Sequence, residues 1–234
     1  MSLKCLNRNQ VKYLLILAML IDHIAGSFVP TLSVAGQLMH FFGRLTGPAM
    51  SVLLAEGYQY TKDKKKYALR LFIFALISWV PFSLRRTGSF PYPVLGMIFT
   101  LFLGFITIWM WDKLKVPKAV KIIFVILLCA LSIFGDWALF SVLWVFFAYI
   151  YRDKPIAKWV SFMIIAVCEV ALSMLMGGVV SNLYQIGVFM VPILLICLYN
   201  GEKGSSAKFH KWFFYVFYPL HQLIIFLLRD FVFK

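Results

Sequence analysis

Charge is what this chain has least of. Only 14% of its 234 residues are charged and 9 are acidic, against the ~25% charge of soluble domains. With 62% of the residues hydrophobic, that scarcity excludes a water-facing surface wrapped around an apolar core. Paired cysteines are missing too. Cys5, Cys129, Cys168 and Cys197 have no metal-ligand spacing, so no metal site is expected, and they read as apolar filler rather than disulfide partners. No polar stretch is long enough for a second domain, and no convincing repeat relates the two halves. Asp22 and His23 interrupt the first apolar run and no convincing small-residue cleavage site follows it, so that run reads as a retained helix rather than a signal peptide.

What the chain has in abundance is long apolar runs. A helix rising ~1.5 Å per residue needs ~20 residues to cross ~30 Å of hydrocarbon, and inside that layer every backbone polar group must be paired within its own segment. The expectation is an all-α integral membrane protein, one polytopic domain over 1–234. Its nine transmembrane helices fall at about 11–30, 36–58, 68–83, 94–111, 119–135, 137–151, 158–176, 184–199 and 212–228.

The formal net charge of +14 reports topology rather than nucleic acid. Eighteen basic residues sit in alternate loops. They are Lys4, Arg8 and Lys12, the stretch from Lys62 to Arg70, Lys113 to Lys121, Arg152 to Lys158, and Lys203 to Lys211. The opposite loops hold Arg85, Arg86, Arg229 and Lys234. Under the positive-inside rule the N-terminus is cytoplasmic and, with nine spans, the C-terminus is outside.

Ionisable side chains inside a bilayer are costly and call for a partner or a function. Counted along their spans at ~1.5 Å per residue, His23 lies about 18 Å from the cytoplasmic side and His221 about 14 Å. Glu169 lies about 17 Å from that side, and Arg44 about 12 Å below the outer one. All four fall in one band between the midplane and the outer half, where they could line one cavity. A lone histidine is as readily a packed ring as a catalyst, and Arg44 can serve as helix glue by pairing with Asp22 or Glu169. Two histidines, an arginine and a glutamate at one depth point towards proton transfer and anion or carboxylate binding. Adjacent residues diverge by 100° on a helix, so Asp22 is not expected to orient His23 and is expected to meet Arg44 or another helix. Gly43, Gly47 and Pro48 read as close packing and a kink, His40 as interfacial, and Asp136-Trp137 as a short outer turn.

A second polar group lies near the cytoplasmic span ends: Glu56, Tyr58, Tyr60, Thr61, the run Lys62 to Lys66, and Arg70. It reads as anchoring to anionic lipid or as a site for a polyphosphate ligand.

The blocks IDHIAGSFVP (21–30), FFGRLTGPAM (41–50), LLAEGYQYTKDKKKYALRLFIFALISWVPF (53–82), GMIFTLFLG (96–104), GDWALF (135–140) and FYVFYPLHQLII (214–225) resemble the TraX family, in order over almost the whole chain. The resemblance implies a multi-spanning acyltransferase of a bacterial plasma membrane. Such an enzyme moves an acyl group, acetyl above all, from cytoplasmic acyl-CoA to an acceptor in the membrane or at the outer face. The family is named for a pilin N-acetyltransferase, but the resemblance does not imply pilin as this chain's acceptor, which stays open among a peptide, a pilin-like protein and a glycan. By position, His23 and Asp22 would carry the catalytic role, while Arg44, Glu56, Arg70 and His221 match the family's other polar motif positions. The chain departs from the pattern at Gly96, where an asparagine is common, and in the segment around Ser78 and Trp79 before Pro81, which is more apolar than the pattern.

The expected function is therefore acyl transfer with Asp22, His23, Arg44 and His221 as catalytic residues and acetyl-CoA or another acyl-CoA as co-substrate. Thr61, Glu56, Lys66 and Arg70 would bind that co-substrate. The alternatives are a small-solute or proton-coupled transporter, which a midplane polar cluster also describes, and a non-catalytic membrane assembly factor, which would tolerate His23→Ala.

Overall fold

The computed structural model describes residues 4–233. Apart from one isolated bridge between Leu6 and Tyr199, the described residues form helices and connecting turns, as the apolar runs require. The order is α1 (Arg8–Phe28), α2 (Val34–Gly43), α3 (Thr46–Tyr60), α4 (Lys64–Thr87), α5 (Met97–Lys113), α6 (Lys118–Leu131), α7 (Phe140–Ile150) and α8 (Pro155–Gly177). A composite segment, Val180–Leu198, follows. It begins as a 3-10 helix (Val180–Phe189), passes through one α turn, α9 (Met190–Ile193), and ends as a π turn (Leu194–Leu198). The last helix, α10 (Lys208–Leu227), runs on into a π turn to Val232.

Among the described residues, five segments are long and apolar enough to cross a membrane: Arg8–Phe28, Lys64–Thr87, Pro155–Gly177, Val180–Leu198 and Lys208–Val232. Each of the other expected runs is helical but short. At ~1.5 Å per residue the 11 residues of α7 extend only about 16 Å. The expected single span over 36–58 is corrected: it is two helices, broken after Gly43. Pro48 explains the break. It has no N–H for the carbonyl of Arg44 and its ring crowds that carbonyl, so α2 ends and α3 restarts at Thr46, two residues before the proline. The turn at Asp136-Trp137 is also longer than expected, since Trp137 and Leu139 both have φ near +60° (57° and 63°) before α7 begins.

Helix starts follow the local chemistry. Asn7 accepts from the amides of Asn9 and Gln10, and Gln10 Oε1 accepts in return from the Asn7 amide, a capping box for α1. Ser33 caps α2 through the Gly36 amide. Asp63 caps α4 through the Lys66 amide, a bond that holds its exposed carboxyl below the usual carboxylate range, helped by the Lys66 ammonium.

The chain forms two compact units, one comprising residues up to Met50 and from Ala166 onwards, the other Ser51–Ile165. In the first, the start of α1 is tied to the stretch before α10. Leu6 and Asn200 share backbone bonds of 2.9 Å with their partners, the Arg8 amide donates to Glu202 O, and Asn9 Nδ2 donates to Ser205 O. Tyr13 and His210 meet at 2.8 Å. Arg8, Lys12, Lys203 and Lys208 therefore gather at one end of this unit.

The second unit has a basic end of the same kind. Asp112, at the end of α5, accepts from the hydroxyls of buried Tyr58 (2.8 Å) and Tyr149 (3.0 Å) and pairs with Lys113. Lys64 lies 4.5 Å from the Tyr58 ring centroid and Arg152 4.7 Å from that of Tyr149, cations over aromatic faces. One carboxylate thus joins α3, α5 and α7. Replacing it by Asp112→Ala strands two phenols at once, each a hydrogen bond to a charged group of ~1.5–3 kcal/mol. A fall in thermal stability of roughly 3 kcal/mol is the expected outcome of a melt in detergent, and an unchanged midpoint would contradict this role.

Candidate functional site

α1 carries two neighbouring ionisable residues, and the structure sends them to different helices, as the 100° step between adjacent positions demands. Asp22 faces α2 and the break after it. Its Oδ1 accepts from His40 Nδ1 at 2.8 Å, and both of its oxygens accept from an Arg44 guanidinium nitrogen at 3.0 Å. His23 faces α10, where its Nδ1 lies 2.7 Å from His221 Nε2 with the two ring planes within 3° of parallel.

The first cluster owes its shape to the break in the 36–58 run. His40 and Arg44 are four residues apart on one helix face, and Arg44 sits where α2 stops, so both side chains reach one carboxylate. Tyr184, from the composite segment, completes the cluster. Its ring lies 5.3 Å from the Arg44 guanidinium carbon and 5.0 Å from the His40 ring centroid. Gln37 of α2 holds that segment in place, accepting from the Tyr184 amide at 3.0 Å and donating to Thr31 O and Ser181 O. Gly43 allows α1 and α2 to approach, since a Cβ there would overlap the Asp22 side chain. Gly43→Ala is accordingly expected to push the carboxylate off its partners, at a cost of about 1–3 kcal/mol for overpacking. A shift of the Asp22 carboxyl resonance together with a lower melting midpoint would report it. An unmoved resonance would contradict the packing.

The second cluster defines tautomers. His221 Nδ1 lies 2.7 Å from the backbone carbonyl of Phe217. A carbonyl only accepts, so the network assigns the proton of neutral His221 to Nδ1 and the lone pair to Nε2. That lone pair accepts from His23 Nδ1–H, which leaves the basic lone pair of His23 on Nε2. Both rings are buried, 9% and 4% exposed, and held in place. The arrangement is a carbonyl, a histidine that orients, and a histidine whose Nε2 can take a proton.

A third polar group lies in the same unit. Glu169 on α8 is buried, its Oε1 accepts from Ser173 Oγ, and Ser173 in turn accepts from Gln185 Nε2. Arg44 is an electrostatic neighbour of Glu169, as His23 is of Asp22. The band of ionisable residues expected near the midplane therefore resolves into linked clusters around α1. His40, expected at the interface, is buried and bonded to Asp22. A rise counted along one helix over 36–58 places His40 at the outer end, whereas its i, i+4 relation to Arg44 is the sequence signal that puts it on the same carboxylate. Tyr184 and Gln37 were missed because isolated polar residues near span ends look like an aromatic belt.

The residues expected to bind a co-substrate all lie in the second unit. Thr61 Oγ1 donates to Gly57 O, and Lys66 pairs with Asp63 across one helical turn while remaining 76% exposed. Glu56 is an electrostatic neighbour of Lys158. Arg70 lies 5.5 Å from the Tyr67 ring centroid, and its buried Nε has no hydrogen-bond partner. Of the four, Arg70 has the most donor capacity to offer an anion. No group of His, Cys, Asp and Glu among the described residues is arranged to hold a metal.

Comparison with known proteins supplies the remaining context. The chain is 28% identical over 231 residues to the probable fimbrial assembly protein FimC, serogroup H1, of Dichelobacter nodosus, covering 92% of this chain and 93% of that one. No solved structure matches it. The family described as TraX protein matches residues 7–229, and this helical membrane protein belongs to that family.

Proposed function

We propose that the protein is a membrane-embedded acyltransferase that moves an acyl group, acetyl in the first instance, from acyl-CoA to an amine or hydroxyl acceptor. The observation that carries this reading is the buried His23–His221 pair, whose hydrogen bonds leave the basic lone pair of His23 on Nε2. In this mechanism Nε2 takes the proton of the acceptor N–H or O–H as that atom attacks the thioester carbonyl. The tetrahedral intermediate then collapses, the C–S bond breaks, and the proton held by His23 passes to the departing CoA sulfur. His221 keeps the ring and tautomer of His23 fixed, as the orienting member of a catalytic triad does.

The Asp22–His40–Arg44 cluster has a positioning role in this scheme. Arg44 is largely neutralised by Asp22, so its charge serves to lock α1 against α2 more than to hold a substrate anion. Arg70 and the lysines from Lys62 to Lys66, with Thr61 and Glu56 beside them, would draw CoA phosphates from the cytoplasm, Arg70 through its uncommitted donor. The topology that goes with this role is a plasma-membrane protein with a cytoplasmic N-terminus and an outer C-terminus. It is the orientation that the loop charges imply when read over nine spans.

A second reading has its own support. The relative's name describes fimbrial assembly, so the chain could serve a pilus-like protein either by acylating it or as a non-catalytic assembly factor. Purified protein in liposomes with radiolabelled acetyl-CoA decides between them. Release of CoA together with label on an amine or hydroxyl acceptor is the expected result. CoA neither bound nor consumed would favour the assembly factor, and solute flux without transfer would favour a transporter.

A further inference from the structure

The helices of the unit Ser51–Ile165 are bounded at both ends by polar groups that the structure holds in place. On α5, Thr100 Oγ1 donates to the carbonyl of Asp136, and Asp112 accepts from the hydroxyls of Tyr58 and Tyr149. Twelve residues separate Thr100 from Asp112, about 18 Å at ~1.5 Å per residue. On α4, the Arg70 guanidinium lies 5.5 Å from the Tyr67 ring centroid and that of Arg85 lies 5.9 Å from the Phe82 ring centroid. Those two rings are fifteen residues apart, about 22 Å. The 11 residues of α7 extend about 16 Å before Arg152, which donates to Tyr149 O. Each length falls well short of the ~30 Å of an ordinary hydrocarbon layer.

We propose that this unit thins the bilayer around it to about 20 Å and takes short-chain lipids as its preferred neighbours. The claim goes beyond acyl transfer and does not rest on it.

A span that is too short has three ways out: its flanking charges snorkel to the surface, it oligomerises, or the bilayer thins. Snorkelling is closed off by the contacts themselves. Lys121 Nζ is turned back to the carbonyl of Trp111 at 2.8 Å, Arg152 to that of Tyr149, and Arg85 reaches back one turn along α4 to Phe82. Asp112 is tied to two buried tyrosines. Oligomerisation is disfavoured by the exposed faces. Helices that associate in lipid meet through small or polar residues, whereas α4 turns outward Phe72, Ile73, Leu76 and Ile77, and α6 turns outward Ile123 and Ile126. These bulky apolar faces suit hydrocarbon chains, so thinning is the way that remains. Its consequence is a shorter path through hydrocarbon, which lowers the penalty for a polar or charged group to enter the membrane.

The test is competition for lipid contact in vesicles that hold the full chain with Trp212→Phe. Of seven tryptophans, the six that remain all belong to Ser51–Ile165, so their quenching by brominated dioleoylphosphatidylcholine reports lipid at this unit. Mole for mole, unbrominated dimyristoleoylphosphatidylcholine is expected to relieve that quenching roughly threefold or more better than dierucoylphosphatidylcholine, with dioleoylphosphatidylcholine between them. The parent chain should give the same order, as should its melting midpoints in the three lipids, highest in the shortest. Strongest relief by dioleoyl- or dierucoylphosphatidylcholine overturns the proposal by showing a fit to a bilayer of ordinary or greater thickness. Equal relief by all three overturns it as well, because the polar ends would then adapt to whatever layer surrounds them.

Discussion

His23→Ala is expected to lower acyl transfer from acetyl-CoA by about 10²- to 10⁴-fold, the usual contribution of a positioned general base, while CoA binding persists. The ring removed is buried, and a chain of two hydrogen bonds from the Phe217 carbonyl assigns its lone pair to Nε2. His221 should matter less and in a different way. His221→Phe leaves the His23 Nδ1–H buried without its acceptor, so the ring is free to take the other tautomer and a drop in kcat larger than in KM is expected. His221→Gln supplies an amide oxygen near the same place and should recover part of the loss, which a merely space-filling role for His221 would not produce. Steady-state kinetics on detergent-purified protein separates these outcomes, and equal activity for His23→Ala and the parent would end the acyltransferase reading.

The second large effect is on stability. Asp22→Asn keeps the shape of the side chain and removes the charge that Arg44 and His40 converge on. The pair is mostly buried, with side-chain exposures of 13% for Asp22 and 18% for Arg44, so Asn takes the hydrogen-bonded carboxylate away from the guanidinium and leaves the more distant Glu169 as its acidic neighbour. Breaking a buried pair by losing one partner costs about 3–5 kcal/mol. The expected result is a large fall in melting midpoint, or a protein recovered only as aggregate. Replacing both partners, Asp22→Asn with Arg44→Met, should be markedly less harmful than the single change because the guanidinium that loses its bonded carboxylate is removed with it. A double variant no more stable than Asp22→Asn alone would show that the ion pair does not fasten α1 to α2.

Much of this was legible in the sequence. Apolar runs gave helices because no other structure satisfies the backbone in hydrocarbon. The step between Asp22 and His23 announced that they serve different neighbours, and the shortage of acidic residues made Arg44 the natural partner for Asp22. What sequence could not give was where a run stops being one helix. The proline at 48 was visible, but a kinked continuous span and two helices joined at Arg44 have the same composition. Only the second brings His40 and Arg44 onto one carboxylate. The short α5, α6 and α7 were expected as full spans for a similar reason, since hydropathy reports apolar content and not the turn between Gly135 and Leu139 that delays α7. Tyr184 and Gln37 gave no signal at all. Their importance comes from the composite segment, whose 3-10 part carries Tyr184 and is held by tertiary contact with α2 rather than by any local preference.

Whether His23 carries its basic lone pair on Nε2 decides most of this account. Nitrogen-15 spectra of the selectively labelled histidines in lipid measure that directly. The expected result is His23 protonated at Nδ1, bare at Nε2 and coupled across a hydrogen bond to His221 Nε2, all of it lost in His221→Phe. A resting His23 protonated at Nε2, or one uncoupled from His221, would contradict it.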